Sequence, residues 1–312
     1  MNSGIYITIF TLLVLLLLAG IGLAERTKTP LLSGDTRDSI IHNGIRRRFL
    51  VHLPGNLSPN RPLPLVFVLH GGGGTPASVA RLTGFNRLAD SAGFIVVYPE
   101  AVNRHWNDGR DVPKYRSQRE NIDDAGFIAA LIDTIGRRLP IDRSRIYACG
   151  ISNGGMMCHR LGCEIADRLA AIATVAAALP ENLAHRFPLS TPLPVLMFNG
   201  TADPFVPYDG GQVGIAGPRG RVLGVEATVR LWSESNRATR IRIESLPATE
   251  DDKPGIICLT YTGGAEVILY KIIGGGHVWP GGKKRSRHYG PHINRLNATA
   301  LIWEFFSRHR RD

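Results

Sequence analysis

Five short apolar runs occupy the central part of the chain, and stretches with helical periodicity separate the first four of them. The first is PLPLVFVLHGGGG at residues 62–74, and the others cover residues 93–99, 144–150, 170–177 and 192–200. Continuous apolar runs of this kind are typical of strands that are buried on both faces of a sheet. Because these strands alternate with helices, the sequence predicts an α/β fold with a mostly parallel, doubly wound sheet.

Antiparallel strands are expected before and after this pattern. Residues 39–54 indicate two strands joined at Asn43-Gly44, a strong signal for a hairpin at one edge of the sheet. Further antiparallel strands are expected between residues 240 and 272. Helical periodicity is found at residues 76–92, 123–138, 154–169, 225–236 and 298–309.

A chain of 312 residues without an internal repeat or a long linker fits one large α/β domain. We assign residues 38–312 to this single domain and residues 25–37 to a polar tail that precedes it. Hydrophobic residues make up 44% of the chain and charged residues 20%, so a sizeable core is expected and global disorder is excluded.

The N-terminal segment carries a targeting signal. Residues 5–24 are apolar and uncharged, and they end in Gly22-Leu23-Ala24, directly before Glu25. Small residues at this point predict a secretory signal peptide cleaved after Ala24. Because the preceding residues lack Lys and Arg, and about 20 apolar residues also suffice to span a bilayer, an uncleaved N-terminal anchor is the alternative. The protein is therefore expected to be secreted or periplasmic, with membrane contact only if the segment is retained.

The formal net charge of +11 raises the question of nucleic-acid binding. The basic residues are spread along the chain and cluster only at residues 46–48, at residues 283–288 and in the C-terminal tail. No zinc-finger spacing, aromatic RNA-binding motif or basic helix–turn–helix pattern accompanies them. We therefore expect no nucleic-acid partner.

A G-x-S-x-G pentapeptide, Gly150 to Gly154, stands between a predicted strand and a predicted helix. This is the context of a nucleophile elbow, a sharp strand-to-helix turn that needs glycines and exposes the serine above the sheet. The helix N-terminus behind the serine also favours negative charge that develops there. Ser152 is the candidate nucleophile, and the bland alternative is a tight junction with an incidental serine.

A serine nucleophile needs a base and an orienting carboxylate, which follow it in the order acid, then histidine, in this type of site. His277 lies in the glycine-rich stretch GGGHVWPGG, directly after a predicted strand. Asp203 lies in the first turn after the strand that ends near Phe198, and Asp209 is its competitor further along the same loop. We expect Ser152, Asp203 and His277 to form the catalytic triad.

Acyl transfer also needs donors that stabilise an oxyanion. The glycines at residues 71–74 follow a buried strand, so their backbone N–H groups are able to approach a ligand. We assign one donor to Gly72 or a neighbouring glycine and the other to the backbone N–H of Asn153, just after the nucleophile. His70 is expected to hold this loop by hydrogen bonds.

Together these segments resemble the secreted esterase family that includes feruloyl esterases, acetylxylan esterases and poly(3-hydroxybutyrate) depolymerases. The matching stretches are LHGGGG, YPEAVNRHWNDGR, DDAGFIAALID, YACGISNGGMM, NGTADPFVPYDGG and GGGHVWPGG, and the resemblance covers about residues 40–308. The resemblance implies an α/β-hydrolase fold, no metal or other cofactor, and Ser152, Asp203 and His277 as triad. The chain departs from many relatives at Asn199, where they carry histidine, and in the basic stretch KKRSRHYGPH after His277.

The loops that match the family contain Trp106 and Trp279, which we assign as substrate-binding residues, with burial in the core as the alternative. The short segment between the strands at residues 170–177 and 192–200 leaves room for only a minimal lid. An open cleft favours an ester on a polymer or oligomer over a buried lipid, and the family resemblance implies a feruloyl or acetyl ester of a polysaccharide as the substrate.

Two other functions stay open at this stage. One is the hydrolysis of short poly(3-hydroxybutyrate) oligomers, and the other is a catalytically silent envelope or binding protein on a hydrolase scaffold. The cysteines do not decide between them, because Cys149, Cys158, Cys163 and Cys258 allow three pairings and also fit free thiols.

Overall fold

One ten-stranded sheet forms the centre of the fold within the part of the chain that the computed structural model describes, residues 34–55, 61–215, 217–246 and 255–311. The strand order is β1-β2-β4-β3-β5-β6-β7-β12-β11-β10. The strands are β1 Gly34–His42, β2 Ile45–Leu53, β3 Leu63–Leu69, β4 Ile95–Pro99, β5 Ile141–Ile151, β6 Ala171–Val175, β7 Val195–Gly200, β10 Arg240–Leu246, β11 Ile256–Thr262 and β12 Val267–Ile272.

The six central strands run parallel, from β4 through β3, β5, β6 and β7 to β12. Antiparallel pairs flank them on both sides: β1 and β2 at one edge, β11 and β10 at the other. The predicted mostly parallel sheet with an antiparallel N-terminal hairpin is thereby confirmed. The strands β3, β4, β6 and β7 are buried along their whole length, as their continuous apolar sequences require.

Seven α-helices lie in the described residues. They are α1 Pro76–Thr83, α2 Phe85–Ala92, α3 Arg116–Arg119, α4 Asp124–Arg138, α5 Asn153–Glu164, α6 Val225–Ser235 and α7 Ala298–Arg308. The predicted helix at 76–92 is two helices, because Gly84 adopts a left-handed conformation with φ of 69° and ends α1. The predicted helix at 154–169 ends at Glu164, and a 3₁₀ turn follows at Ala166–Arg168.

Two details near the domain ends differ from the sequence-based expectation. β1 begins at Gly34, so residues 34–37, which we had assigned to the polar tail, pair with β2. The predicted signal peptide or anchor at residues 1–24 lies outside the described residues. None of the described helices combines the length and the apolar character that a membrane crossing requires.

The segments that border the site lie beyond the carboxyl ends of the parallel strands. Residues 176–194, between β6 and β7, contain only one short 3₁₀ helix, Glu181–Arg186, consistent with a minimal lid. A small two-stranded sheet, β8 Gly211–Gln212 and β9 Arg221–Val222, is inserted between β7 and α6. The sequence does not predict this insertion, because two-residue strands leave no alternating pattern.

Candidate active site

Ser152 occupies a strained turn between β5 and α5. Its φ of 57° and ψ of −125° lie in a region that non-glycine residues rarely adopt. The backbone N–H of Ser152 donates to the carbonyl of Val175 at 2.9 Å, which ties the turn to the neighbouring strand β6. Such strain persists where the surrounding structure holds it, and it is typical of functional sites.

The pentapeptide needs glycine at positions 150 and 154 because other backbone atoms lie where a Cβ would be. A Cβ on Gly154 would lie 2.4 Å from the carbonyl oxygen of Leu69, at the end of β3. A Cβ on Gly150 would lie 2.6 Å from the backbone of Gly154. Both distances are too short for any side chain, so the strand, the turn and the helix pack together only with glycine at these positions.

His277 and Asp203 come from two neighbouring strands. Asp203 follows β7 and His277 follows β12, and because these strands are parallel neighbours, their carboxyl ends meet. His277 Nδ1 lies 2.7 Å from Asp203 Oδ2, and the side chains are 5% and 2% exposed. Asp203 Oδ1 accepts the backbone N–H groups of Phe205 and Val206 at 2.8 and 2.9 Å. Asp203, and not its competitor Asp209, is therefore the carboxylate bonded to the imidazole.

The glycine loop after β3 packs directly on the serine turn. A Cβ on Gly71 would lie 3.4 Å from Ser152 Cβ, and one on Gly72 would lie 3.8 Å from Asn153 Cβ. The N–H groups of Gly73 and Gly74 are bonded to the carbonyls of Arg104 and Gly71. Within the described residues the N–H of Gly72 has no acceptor. The two predicted oxyanion donors, Gly72 and Asn153, are thus brought together.

His70 holds this loop in place, as the sequence predicted. The side chain is fully buried, and burial lowers the pKa of His70 to about 4, so the imidazole is neutral at pH 7. Its Nδ1 lies 2.8 Å from the carbonyl of Gly71, and its Nε2 accepts the N–H of Ala101 at 3.2 Å. A neutral ring satisfies both contacts only as the Nδ1–H tautomer.

The side chain of Asn153 belongs to a buried polar cluster, which we define as Asp108, Arg110, Gln118 and Asn153. Asp108 accepts Asn153 Nδ2 at 2.6 Å, Gln118 Nε2 at 3.0 Å and Arg110 Nε at 2.9 Å. Asn153 Oδ1 accepts the backbone N–H of Trp106 at 2.8 Å. The cluster therefore fixes the start of α5, directly behind Ser152.

The assignment of Trp106 and Trp279 to substrate binding is wrong. Both side chains are 0% exposed. Trp106 Nε1 donates to the carbonyl of His70 at 2.9 Å, and Trp279 Nε1 donates to Thr299 Oγ1 at 2.9 Å. Large aromatic rings with a satisfied polar atom stabilise the interior, so the two residues support the loops around the site instead of contacting a ligand.

A cleft of about 690 Å³ joins the predicted site residues. Its lining includes Gly72, Ser152, Asn153 and His277. Most of the remaining wall does not follow from the sequence, and it includes His105, Tyr115, Phe205 and Tyr289.

Ring contacts connect the aromatic residues of this wall. His105 stands next to Trp106 in a stretch that matches the family, and its ring stacks on Tyr115 with centroids 4.0 Å apart. The rings of Phe205 and Tyr289 lie 5.1 and 6.3 Å from that of His277. No spacing in the sequence indicates these contacts, because they depend on how irregular segments fold back on one another and not on the period of a helix or strand.

The described residues contain no group of three or more His, Cys, Asp or Glu side chains suited to hold a metal ion. The four cysteines are free thiols, two of them buried. Burial raises the pKa of Cys149, Cys158 and Cys163, so these thiols stay protonated at neutral pH. None of them lines the cleft.

Comparisons with known proteins identify the family and the fold of the chain. Residues 48–185 match the family model described as esterase PHB depolymerase. NocK of Nocardia uniformis subsp. tsuyamanensis, which is named as an esterase, is 31% identical to this chain over 259 residues. The alignment covers 79% of this chain and 74% of NocK. Feruloyl esterase B of Piromyces equi is 29% identical over 248 residues, covering 76% of this chain but only 44% of that enzyme.

A solved structure of an acetyl xylan esterase from Aspergillus awamori superimposes with a TM-score of 0.58. The alignment covers 87% of this chain and 99% of the other, at 14% sequence identity. At this level of identity the similarity shows the fold, and it confirms the α/β-hydrolase fold that the sequence implied.

Proposed function

The chain belongs to the esterase family of the PHB depolymerases and hydrolyses carboxylic esters, and from this premise we propose that it is an exported serine esterase. In this proposal Ser152 is the nucleophile, His277 is the general base, and Asp203 orients the imidazole. The observation that carries the proposal is the strained turn at Ser152 on the same cleft as a histidine bonded to a buried carboxylate.

The first half of the reaction forms an acyl-enzyme. Ser152 Oγ attacks the ester carbonyl while His277 Nε2 takes the hydroxyl proton, and Nδ1–H of His277 donates to Asp203. The backbone N–H groups of Gly72 and Asn153 stabilise the oxyanion that forms on the carbonyl oxygen. The C–O bond to the alcohol then breaks, and the alcohol leaves with the proton from His277.

The second half returns the enzyme to its starting state. His277 removes a proton from water, which attacks the acyl carbonyl, and the same two N–H groups hold the second oxyanion. The bond to Ser152 breaks, the serine regains its proton from His277, and the carboxylic acid leaves. The strained turn at the end of β5 places Ser152 on the wall of the cleft, where both steps take place.

The proposed substrates are feruloyl or acetyl esters of a polysaccharide, with short hydroxybutyrate oligomers as the second candidate. The names of the relatives support the first, since they include feruloyl esterases and an acetylxylan esterase, and the description of the family model, esterase PHB depolymerase, supports the second. The minimal lid favours an open cleft that admits an ester on an oligomer. The apolar segment at residues 5–24 supports export.

A fluorophosphonate probe and a panel of esters test the proposal. We expect the probe to label the wild type and not Ser152→Ala, and kcat to fall at least about 10⁴-fold in that variant. Asp203→Asn is expected to lower kcat about 10⁴-fold through the wrong imidazole tautomer. Asp209→Asn, on the same loop, is the matched control and keeps wild-type kcat.

The panel of methyl ferulate, acetylated xylan, hydroxybutyrate oligomers and long-chain triglycerides then ranks the substrates. Equal labelling of Ser152→Ala, or an Asp209→Asn loss as large as that of Asp203→Asn, contradicts the triad. Folded wild type that neither binds the probe nor hydrolyses an ester would instead indicate a catalytically silent binding protein.

A further inference from the structure

The charged side chains that line the cleft at Ser152 are all positive. Six cationic side chains line it, and no carboxylate of the described residues does. The cations are Arg81, Arg110, Arg219, Lys283, Lys284 and Arg285. Of these, Lys283, Lys284 and Arg285 belong to the basic loop, which we define as residues 283–288. The family resemblance does not account for this loop, because it departs from the relatives there.

Among the described residues, only one of the six cations is neutralised by a carboxylate. Arg110 is buried and bonds to Asp108, with Nη2 2.8 Å from Oδ2. In the described part of the chain, no ion pair is formed by Arg81, Arg219, Lys283, Lys284 or Arg285. Five positive charges therefore face one cleft. In a concave site such charges reinforce each other and attract anions.

Arg219 adds to this cleft a guanidinium that the described protein groups leave partly unpaired. Its Nε is buried and has no hydrogen-bond partner within the described residues. Its backbone carbonyl accepts Arg110 Nη1 at 2.7 Å, so the loop that carries it is attached to the buried polar cluster. A buried donor without an acceptor is costly, and a guanidinium pairs best with the two oxygens of a carboxylate.

Arg285 brings positive charge close to the proposed base. Its guanidinium stacks over the ring of Tyr289, 3.5 Å from the centroid. The ring of Tyr289 in turn stacks on His277, and the backbone N–H of His277 donates to the carbonyl of Tyr289 at 2.6 Å. The guanidinium of Arg285 therefore contacts the ring of Tyr289, which in turn contacts the imidazole of His277. This brings the positive charge of Arg285 towards a substrate on Ser152.

We propose that the preferred substrate is an ester that carries a free carboxylate, bound by Arg219, Arg81 and the basic loop, which line the same cleft. This inference rests on the proposed esterase function and specifies its substrate class. Two sources supply this chemistry: the uronic acid side chains of a polysaccharide, and the terminal carboxylate of a hydroxyalkanoate oligomer.

Two matched substrate pairs test the proposal and separate the sources. One pair is acetylated xylo-oligosaccharides with and without uronic acid substituents, and the other is the hydroxybutyrate dimer and its terminal amide. We expect kcat/KM to be about tenfold or more higher for the charged member of the true pair. This preference should fall as the Debye length shrinks from about 30 Å at 0.01 M salt to about 3 Å at 1 M.

Substitutions locate the effect in the cleft. The measured quantity is the ratio of kcat/KM for the charged ester to kcat/KM for the neutral ester. This ratio should fall about tenfold in the triple variant Lys283→Gln/Lys284→Gln/Arg285→Gln. It should fall about threefold in the single variant Arg219→Gln. Arg287→Gln is the matched control, because Arg287 is exposed on the same loop but does not line the cleft. It should keep the wild-type ratio.

Binding to Ser152→Ala keeps this inference separate from the proposed mechanism. We expect the charged dimer to bind this variant more tightly than its amide, in a salt-dependent manner, when measured by calorimetry. Ester hydrolysis with equal kcat/KM for both members of each pair, together with equal binding, overturns the carboxylate proposal and leaves the esterase intact. Preferential binding without any hydrolysis by the wild type overturns the esterase mechanism and leaves the anion site intact.

Discussion

Two regions that border the cleft contain the same kind of side chain in opposite states. In the buried polar cluster, Arg110 is 6% exposed and donates to a carboxylate and to a backbone carbonyl. In the basic loop, Lys283 and Lys284 are exposed, Arg285 is half-buried, and none of the three has a carboxylate partner in the described residues.

The difference follows from the cost of removing charge from water. A buried cation needs a paired carboxylate and further hydrogen bonds, so Arg110 and Asp108 neutralise each other and serve to position Asn153. An exposed cation keeps its hydration and needs no partner. Its charge stays available to a ligand, which is why the basic loop contributes to binding and the cluster contributes to geometry.

The largest effect is expected from breaking the buried pair. Asp108→Ala removes the acceptor of Arg110, Gln118 and Asn153 and leaves a buried positive charge unpaired. We expect the free energy of unfolding to fall by about 3–5 kcal/mol, measured by urea denaturation. The control Glu304→Ala, on the exposed face of α7, should change it by no more than about 0.5 kcal/mol. Equal losses in the two variants would show that the cluster is not structurally important.

A smaller effect is expected from acid. The pKa of His70 is lowered by burial from 6.5 to about 4, so only the unfolded chain binds a proton on this side chain between these values. The stabilisation is complete above about pH 6.5 and is lost as the pH falls to about 4, a loss of about 3 kcal/mol. Unfolding free energies across this range measure it.

Two variants test the origin of this acid sensitivity. His70→Gln should show a shallower pH slope that is not abolished, because burial also lowers the pKa of His159, to about 3. Arg285→Gln, in the basic loop, should keep the wild-type slope, since its charge does not change over this range. An unchanged slope in His70→Gln would be evidence against a neutral, buried imidazole.

The smallest effect is expected from the basic loop itself. Arg285→Gln loses only the stacking on Tyr289, so the free energy of unfolding should change by about 0.5 kcal/mol. Thermal and urea denaturation measure this change. A loss comparable to that of Asp108→Ala would mean that the loop stabilises the fold and would remove the contrast between the two regions.

Much of the fold and the candidate site could be predicted from local sequence. The pentapeptide predicted the strained turn because glycine alone tolerates the backbone contacts at positions 150 and 154. His277 was found because it directly follows an apolar strand, and Asp203 because it directly follows another. Where a residue's role depends on its distance from a strand end, the distance along the chain predicts it.

The tryptophans show where such prediction ends. Trp106 and Trp279 lie in stretches that match the family, but a match does not tell which way a side chain points, and both rings are buried. The wall of the cleft was missed for a related reason. Arg81 lies in α1, Arg219 lies in the insertion after β7, and Arg285 lies in the loop after β12. Only the tertiary structure brings these three residues to the same cleft.

By itself, the sequence determined the succession of strands and helices along the chain, the turn at Ser152 and the polar residues that follow the strands. These features depend on local backbone chemistry and on short-range apolar patterns. The tertiary structure decided which carboxylate bonds His277, which aromatic rings are buried, and which cations remain unpaired. These properties depend on contacts between segments far apart in the chain, where burial and the presence of an opposite charge determine whether a side chain supports the fold or remains free for a substrate.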